Sequence, residues 1–346
     1  MSKIRIVNWL LTRRCNLKCD YCAIVKDYKG KPDTYPDMRH YMINEMSTEY
    51  VINVLKMLKE HNPDIFHILY GGEPLLRKDL PDIINFCNDN DIHYTIISNN
   101  TPEIYKMIQR LKNKVDYIQG FTASIDPVLT DKKINLDRVI KSQKGFDSLL
   151  NMKKYVNDVV AEITVMKENV HFLYNLVSLL SSTGINSDIT FIDIAKSPYY
   201  DFSNIYDPDL LVTKKDAEIQ IHRLLNSNFD IHMKEKLLPE IFDILPSDMD
   251  CEIEKGLHNI SIDADGTLRL CLRVRGVSTP SIYADQLFQQ DLDGNYIVNP
   301  FLQATINEDK KTYCKGCNHT CQIMSKIIDK EDSGSDELIH KDKREE

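Results

Sequence analysis

Cys15, Cys19 and Cys22 stand in the run Arg14-Cys-Asn-Leu-Lys-Cys-Asp-Tyr-Cys22, a C-x3-C-x2-C spacing that offers three thiolates from one short loop. Three is one fewer than a cubane [4Fe–4S] cluster needs, so one iron is left open to a ligand that is not protein. An open iron can bind a substrate or cofactor, which makes such a site chemical rather than merely structural. The competing reading is a partial zinc site completed by a distant His or Cys. Zinc motifs, however, usually pair their thiols and repeat the pair downstream.

Further along, Ile65–Tyr70 reads as a buried strand that ends in Gly71-Gly72-Glu73-Pro74. With the cysteine loop before it, this strand end resembles the radical S-adenosylmethionine (SAM) superfamily, whose members combine CxxxCxxC with a GGE-type strand end. Tyr21, an aromatic residue just before the third cysteine, fits the same pattern. The resemblance implies that the open iron is chelated by the amine and carboxylate of SAM. It also implies reductive cleavage of SAM to methionine and a 5′-deoxyadenosyl radical that abstracts hydrogen from a substrate. The electron would come from an external one-electron donor such as a flavodoxin or ferredoxin.

Apolar runs alternate with amphipathic helical patterns as far as about residue 195. Strands are expected at Ile4–Leu11, Ile65–Tyr70, His93–Ser98, Asp116–Ile125, Ala161–Val165 and Asp188–Ile194. A helix is expected over Ser47–Glu60, where Val51, Val54, Leu55 and Leu58 recur on one face and Ser47 is placed to cap the N-terminus. Six strand–helix units in series predict a parallel sheet with right-handed crossovers. They match the α/β fold that the resemblance implies, a partial (β/α)6 TIM barrel. In barrels of this type the active site gathers at the C-terminal strand ends, where the cysteine loop and Gly71–Pro74 both fall.

The other strand ends read by the same logic. Strand three ends in Ser98-Asn99-Asn100-Thr101, with short polar side chains suited to ribose hydroxyls. Strand four ends in Ala123-Ser124-Ile125-Asp126, which looks like the Ser-x-Asp step that family members place near SAM. The resemblance thus makes Tyr21, Gly71, Gly72, Glu73, Ser98, Asn99, Ser124 and Asp126 the cofactor contacts, with Asn169 after strand five a weaker candidate. Ser, Asn and Asp after a strand are also ordinary loop and cap residues.

From Cys251 the character changes. Cys251, Gly266 and Cys271 fit C-x9–15-G-x4-C, and Leu257–Ile262 and Thr267–Val274 flank Asp263-Ala-Asp-Gly266 as a β-hairpin. Cys314, Cys317 and Cys321 follow as C-x2-C-x3-C. The pattern resembles the auxiliary-cluster extensions called SPASM and Twitch, here with five thiols and therefore one further [4Fe–4S] cluster. The resemblance implies Cys251, Cys271, Cys314 and Cys317 as ligands, with Cys321 spare or substituting. Four ligands would close the cluster as an electron relay, whereas three would leave an iron free for substrate. A zinc ribbon on the same thiols is the alternative.

The chain carries a net charge of −9, and the acidic tail from Asp329 supplies eight acids against four bases. Lys and Arg form no stripe, so no electrostatic nucleic-acid surface is expected. No signal peptide or membrane span is visible, and nine cysteines, an odd number with eight of them in metal-type spacings, point to a reducing, cytoplasmic setting. Cys87 reads as a core residue and His67 as a packed histidine within a strand. Arg273 and Arg275, beside Cys271, could contact substrate or tune the cluster. The segment Ala23–Met46 reads as a possible lid, and the aromatic loop Lys196–Leu211 as a pocket wall or a linker.

The domain expectation is a core over 1–213, a helical linker over 214–250, the auxiliary-cluster domain over 251–325 and a disordered charged tail over 326–346. Catalysis on a peptide or protein substrate is the leading expectation. A small-molecule oxidoreductase acting on a sugar or nucleotide derivative, and a non-catalytic Fe–S redox or regulatory protein, are the alternatives. No catalytic acid or base is identified.

Overall fold

Uninterrupted apolar runs mark parallel strands covered on both faces. The first of them, β1 (Ile6–Thr12), is buried at every position after Ile6. The computed structural model describes residues 4–17, 19, 22, 44–125, 146–191, 212–231, 259–269, 283–290 and 296–299. Within these, β1 is followed by α1 (Thr48–His61), β2 (Phe66–Gly71), α2 (Leu80–Asp89), β3 (His93–Ser98), α3 (Pro102–Lys112) and β4 (Ile118–Ser124). Then come β5 (Val156–Val165), α4 (Leu173–Ser182), β6 (Asn186–Phe191), α5 (Lys214–Leu225), β7 (Asn259–Ile262) and β8 (Leu268–Arg269). A separate antiparallel pair joins β9 (Phe288–Gln290) to β10 (Tyr296–Val298).

The main sheet runs β6-β5-β4-β3-β2-β1-β7-β8, and its first seven strands are mutually parallel. This is the expected α/β arrangement, consistent with a partial TIM barrel. The six expected core strands all form, with shifted ends. β5 begins five residues earlier than expected, at Val156, and β4 is shorter at both ends. The early start of β5 went unread because Asn157 and Asp158 interrupt the apolar run, whereas pairing with β4 carries the strand through them.

The hairpin after residue 257 forms as β7 and β8, and β7 pairs parallel to β1 in the register Ile6↔Asn259 to Trp9↔Ile262. It therefore continues the barrel sheet past β1. Asn8 reinforces this join, its side-chain amide donating to the Ile260 carbonyl at 3.3 Å.

α1 shows how local sequence places these elements. The Ser47 hydroxyl caps it by accepting from the Tyr50 amide at 3.1 Å, while Val51, Val54, Leu55 and Leu58 pack into the core. Its end is tied to the start of β1 by Asn62, whose side chain donates to the Ile4 carbonyl at 2.8 Å. Behind the sheet, the Trp9 indole donates to His67 Nδ1 at 2.9 Å, and burial pushes that imidazole down to about 3. His67 is thus a packed, neutral core histidine, and Cys87 on α2 is fully buried. No helix among the described residues is long and apolar enough to cross a membrane.

Candidate functional site

Parallel strands deliver all their C-terminal ends to one rim, so residues far apart in sequence meet there. After β1 the chain continues through Arg13 and Arg14 into Cys15, Cys19 and Cys22. Cys15 and Cys22 are partly exposed and Cys19 is buried; all three are free thiols. The turn between the last two is closed by the Cys22 amide donating to the Cys19 carbonyl at 3.2 Å.

The end of β2 is stitched to this loop. The Gly72 amide donates to the Thr12 carbonyl at 2.7 Å, and the Glu73 amide to the Arg14 carbonyl at 2.8 Å. A Cβ on Gly71 would lie 2.3 Å from the Thr12 carbonyl oxygen, and one on Gly72 would lie 2.3 Å from that of Arg14. Only glycine permits such an approach. In this structure it is the launch of the cysteine loop that comes so close.

Glu73 is fully buried. Its carboxylate accepts from Ser98 Oγ at 3.0 and 3.1 Å, from the Asn99 amide at 2.9 Å and from the Leu75 amide at 3.1 Å. Burial pushes its carboxyl up to about 7, against the pull of these donors. Glu73 therefore clamps the end of β2 to the end of β3. Asn99 passes the connection back to the cysteine loop, donating to Asn16 Oδ1 at 2.8 Å and lying 3.7 Å from Cys15 Sγ. Asn16 in turn donates to Thr101 Oγ1 at 3.0 Å. Asn100 adopts φ 50°, a left-handed conformation that asparagine tolerates, and its amide donates to Ser98 Oγ at 3.1 Å.

Sequence reasoning named Ser98, Asn99 and Glu73 but missed that they form one network with Asn16 and Thr101. It also missed the charged residues beside Cys15. Arg14 pairs with Glu45 at 2.9 Å, and Thr12 Oγ1 also donates to Glu45. Arg13 pairs with Asp263 at 2.7 Å. The Arg77 guanidinium donates to the Leu11 and Met46 carbonyls, each at 2.9 Å, and to Asp79. Two arginines directly before a cysteine motif were the available signal.

Ser124 sits partly exposed at the end of β4, with no side-chain hydrogen bond among the described residues. Asn169 is buried and folds back on its own turn, accepting from the Met166 amide at 2.7 Å and donating to the Thr164 carbonyl at 3.0 Å. Tyr21, Asp126, Arg273, Arg275 and the cysteines at 251, 271, 314, 317 and 321 lie outside the described residues, as do most of the 23–46 segment and the 196–211 loop.

The donor set suits an iron–sulfur cluster. Among the described residues no three Cys, His, Asp or Glu side chains gather around a single ion. Three free thiols on one short loop are the donor type that such a cluster takes. Burial pushes the Cys15 thiol up to about 11, while the Leu17 amide at 3.4 Å and Asn99 favour the thiolate that a metal requires.

Comparison with known proteins decides the family. Residues 9–180 match the radical SAM superfamily model, a span that takes in the cysteine loop, Gly71–Pro74 and the strands through β5. The chain belongs to the radical SAM superfamily.

A radical SAM domain brings with it a [4Fe–4S] cluster and SAM as cofactors. The chain is 28% identical over 190 residues to the Fe-coproporphyrin III synthase of Methanosarcina barkeri, a match covering 53% of this chain and 43% of that protein. It is 25% identical over 276 residues to the GTP 3′,8-cyclase of Aquifex aeolicus, covering 78% and 82% respectively. Its fold resembles the crystal structure of Streptococcus suis SuiB, with a TM-score of 0.54 at 13% identity over 82% of this chain and 64% of that one. SuiB has also been solved with S-adenosylmethionine and with its precursor peptide SuiA. The chain thus spans less than half the length of the Methanosarcina relative and under two thirds of SuiB.

Proposed function

We propose that this protein is a radical SAM enzyme in which Cys15, Cys19 and Cys22 hold a [4Fe–4S] cluster and the rim from β1 to β4 holds SAM. The observation that carries this reading is the junction of the cysteine loop with the ends of β2 and β3 through Glu73, Asn99 and Asn16. When bound, the cluster supplies the electron that splits SAM into methionine and a 5′-deoxyadenosyl radical. The protein's own contribution is positioning. Glu73 fixes the Asn99 backbone, Asn99 reaches the Cys15 sulfur, and the main chain of Gly71 and Gly72 sets the height of the cysteine loop over β2. Ser98, Asn99, Ser124 and Asp126 are assigned to SAM, with Tyr21 beside the third ligand.

An auxiliary [4Fe–4S] cluster on Cys251, Cys271, Cys314 and Cys317, with Cys321 in reserve, is part of the same proposal and serves as an electron relay. The support is the thiol spacing. For the substrate we assign a peptide or protein, in line with the SPASM-like and Twitch-like spacing and with the peptide complex of SuiB, a protein of similar fold. A nucleotide derivative is the second reading, favoured by the GTP 3′,8-cyclase relative that aligns along 78% of this chain.

Anaerobic reconstitution, dithionite reduction and chromatographic detection of 5′-deoxyadenosine test the first claim. Product from the wild type and none from Cys19→Ala is the expected outcome, and a wild-type protein that binds iron but never cleaves SAM would overturn it. Retention of eight irons per chain after Cys314→Ala would exclude that residue from the auxiliary set. Stimulation of cleavage by guanine nucleotides but by no peptide would move the substrate assignment to the second reading.

A further inference from the structure

The chain leaves β1 at Arg13, passes through the three cysteines and is back in the sheet's neighbourhood by Met46. Both ends of that excursion are attached to one short turn in the C-terminal hairpin, Asp263–Gly266. At the entry, Arg13 grips Asp263 with two parallel hydrogen bonds, Nε to Oδ1 at 3.0 Å and Nη2 to Oδ2 at 2.7 Å. At the exit, the Met46 amide donates to the Ala264 carbonyl at 2.8 Å. The turn is itself stiff: Asp263 Oδ1 accepts from the Ala264 amide, the Gly266 amide returns to the Asp263 carbonyl, and Gly266 takes φ 87°.

We propose that this turn is the fastener of the cysteine loop, with Arg13 and Asp263 acting as positioning residues for the N-terminal cluster ligands. The inference rests on the cluster assignment above and adds that the C-terminal hairpin belongs functionally to the N-terminal site. Three features separate this pair from an incidental ion pair. Both side chains are only 2% exposed, so loss of either partner removes a charge-assisted contact from a buried setting, where such a loss is costly. The neighbouring Arg14–Glu45 pair, at 35% and 15% exposure, lies in a setting where solvent weakens such contacts. The fork geometry fixes direction as well as distance, and it acts two residues before Cys15. Parallel pairing of β7 with β1 then holds the turn in register with the loop it clamps.

Thiol reactivity in the metal-free full chain reads this directly. Cys15, Cys19 and Cys22 report on the loop, while fully buried Cys87 reports on global unfolding. Because Cys15 and Cys22 are already partly exposed, buried Cys19 is the most sensitive reporter: Asp263→Asn is expected to raise its iodoacetamide labelling by about tenfold or more while Cys87 stays protected, as local opening requires. After reconstitution the same variant should show a broadened or shifted electron paramagnetic resonance signal from the N-terminal cluster. Glu45→Gln should change loop labelling by less than about threefold, in keeping with a pair that solvent reaches in part.

Unchanged loop labelling in Asp263→Asn, with Cys87 protected, overturns the proposal. If Asp263→Asn exposes Cys87, Arg13→Lys becomes the deciding variant, because it keeps the charge and loses the fork. Wild-type labelling of the loop in Arg13→Lys then overturns the proposal, and selective loop labelling supports it. Iron content separates the two claims: a wild-type chain that takes up no iron removes the cluster assignment, whereas the labelling result still decides whether the hairpin holds the loop.

Discussion

Glu73 and Asn169 are both buried polar residues just beyond a strand end, yet they do opposite things. Glu73 reaches sideways, joining the end of β2 to the end of β3, and through Asn99 to Cys15. Asn169 turns inward and satisfies only Met166 and Thr164 of its own loop. The β1–β3 side of the rim is therefore a cross-linked frame, able to hold a ligand-bearing loop at fixed geometry. Beyond β4, the described turn after β5 is held by the bonds of Asn169 to its own chain segment. Along β4 to β6, half-buried Thr122, Ser124, Glu162, Thr164, Asp188 and Thr190 alternate with buried Ala123, Ala161, Ile163 and Ile189. By the two-residue period of a strand, the polar set shares the face away from the helix-packed residues. One side of the rim is built to position, and the other presents polar side chains.

The largest test of that contrast is Glu73→Ala. Removing the carboxylate leaves the Ser98 hydroxyl and the Asn99 and Leu75 amides without their acceptor in a fully buried site. Each buried orphan costs about 1–3 kcal/mol, so a total near 3 kcal/mol or more is expected, with loss of 5′-deoxyadenosine formation. Glu73→Gln keeps one acceptor oxygen and should lose less. Urea unfolding measures both, and a loss under about 1 kcal/mol in the alanine variant would remove the idea of a frame.

Next in size is a pH effect behind the same strands. His67 accepts from Trp9 as a neutral imidazole, and burial holds its pKa at about 3, below the ordinary value near 6.5. Between those values the unfolded chain takes up a proton that the native state refuses, so stability falls as pH drops from 6.5 towards 3. At pH 5 the loss from this group is about 2 kcal/mol. His67→Leu should be less stable at pH 7, because the Trp9 indole loses its acceptor, but should show a shallower decline towards pH 5. Parallel declines of wild type and variant would show that the β1–β2 pair is not locked by this contact.

What the sequence made legible follows from distance along the chain. Strands β1 to β6, the Ser47 cap and the apolar face of α1 are written in local periodicity, and the cysteine and glycine motifs mark the rim. Glycine at 71 and 72 was readable as a close-approach signal, but what it approaches was not, because Thr12 and Arg14 lie some sixty residues upstream. The same holds more strongly for β7. Its apolar alternation predicted a hairpin, whereas its parallel pairing with β1, across about 250 residues, depends on an edge that only the folded sheet exposes. The fork between Arg13 and Asp263 was invisible for that reason, although each residue sat beside a motif.

Smaller effects sharpen the other side of the contrast. Asn169→Ala removes two local hydrogen bonds and leaves the Met166 amide buried, so it should cost about 1–3 kcal/mol. If Asn169 serves only its own turn, SAM cleavage per folded molecule should stay within a few-fold of wild type. A loss comparable to that of Glu73→Ala would place Asn169 in the frame after all.

Ser124→Ala should perturb stability least, because Ser124 makes no side-chain hydrogen bond among the described residues and stands partly exposed at a strand end. A change within about 0.5 kcal/mol is expected, as for a substitution away from any buried network. That neutrality makes the position informative. A rise of several-fold in the SAM concentration needed for half-maximal cleavage, at unchanged stability, would show that this hydroxyl is kept for the ligand. Unchanged SAM dependence would confine cofactor recognition to the cross-linked side of the rim, where positioning and binding would then be the work of the same residues.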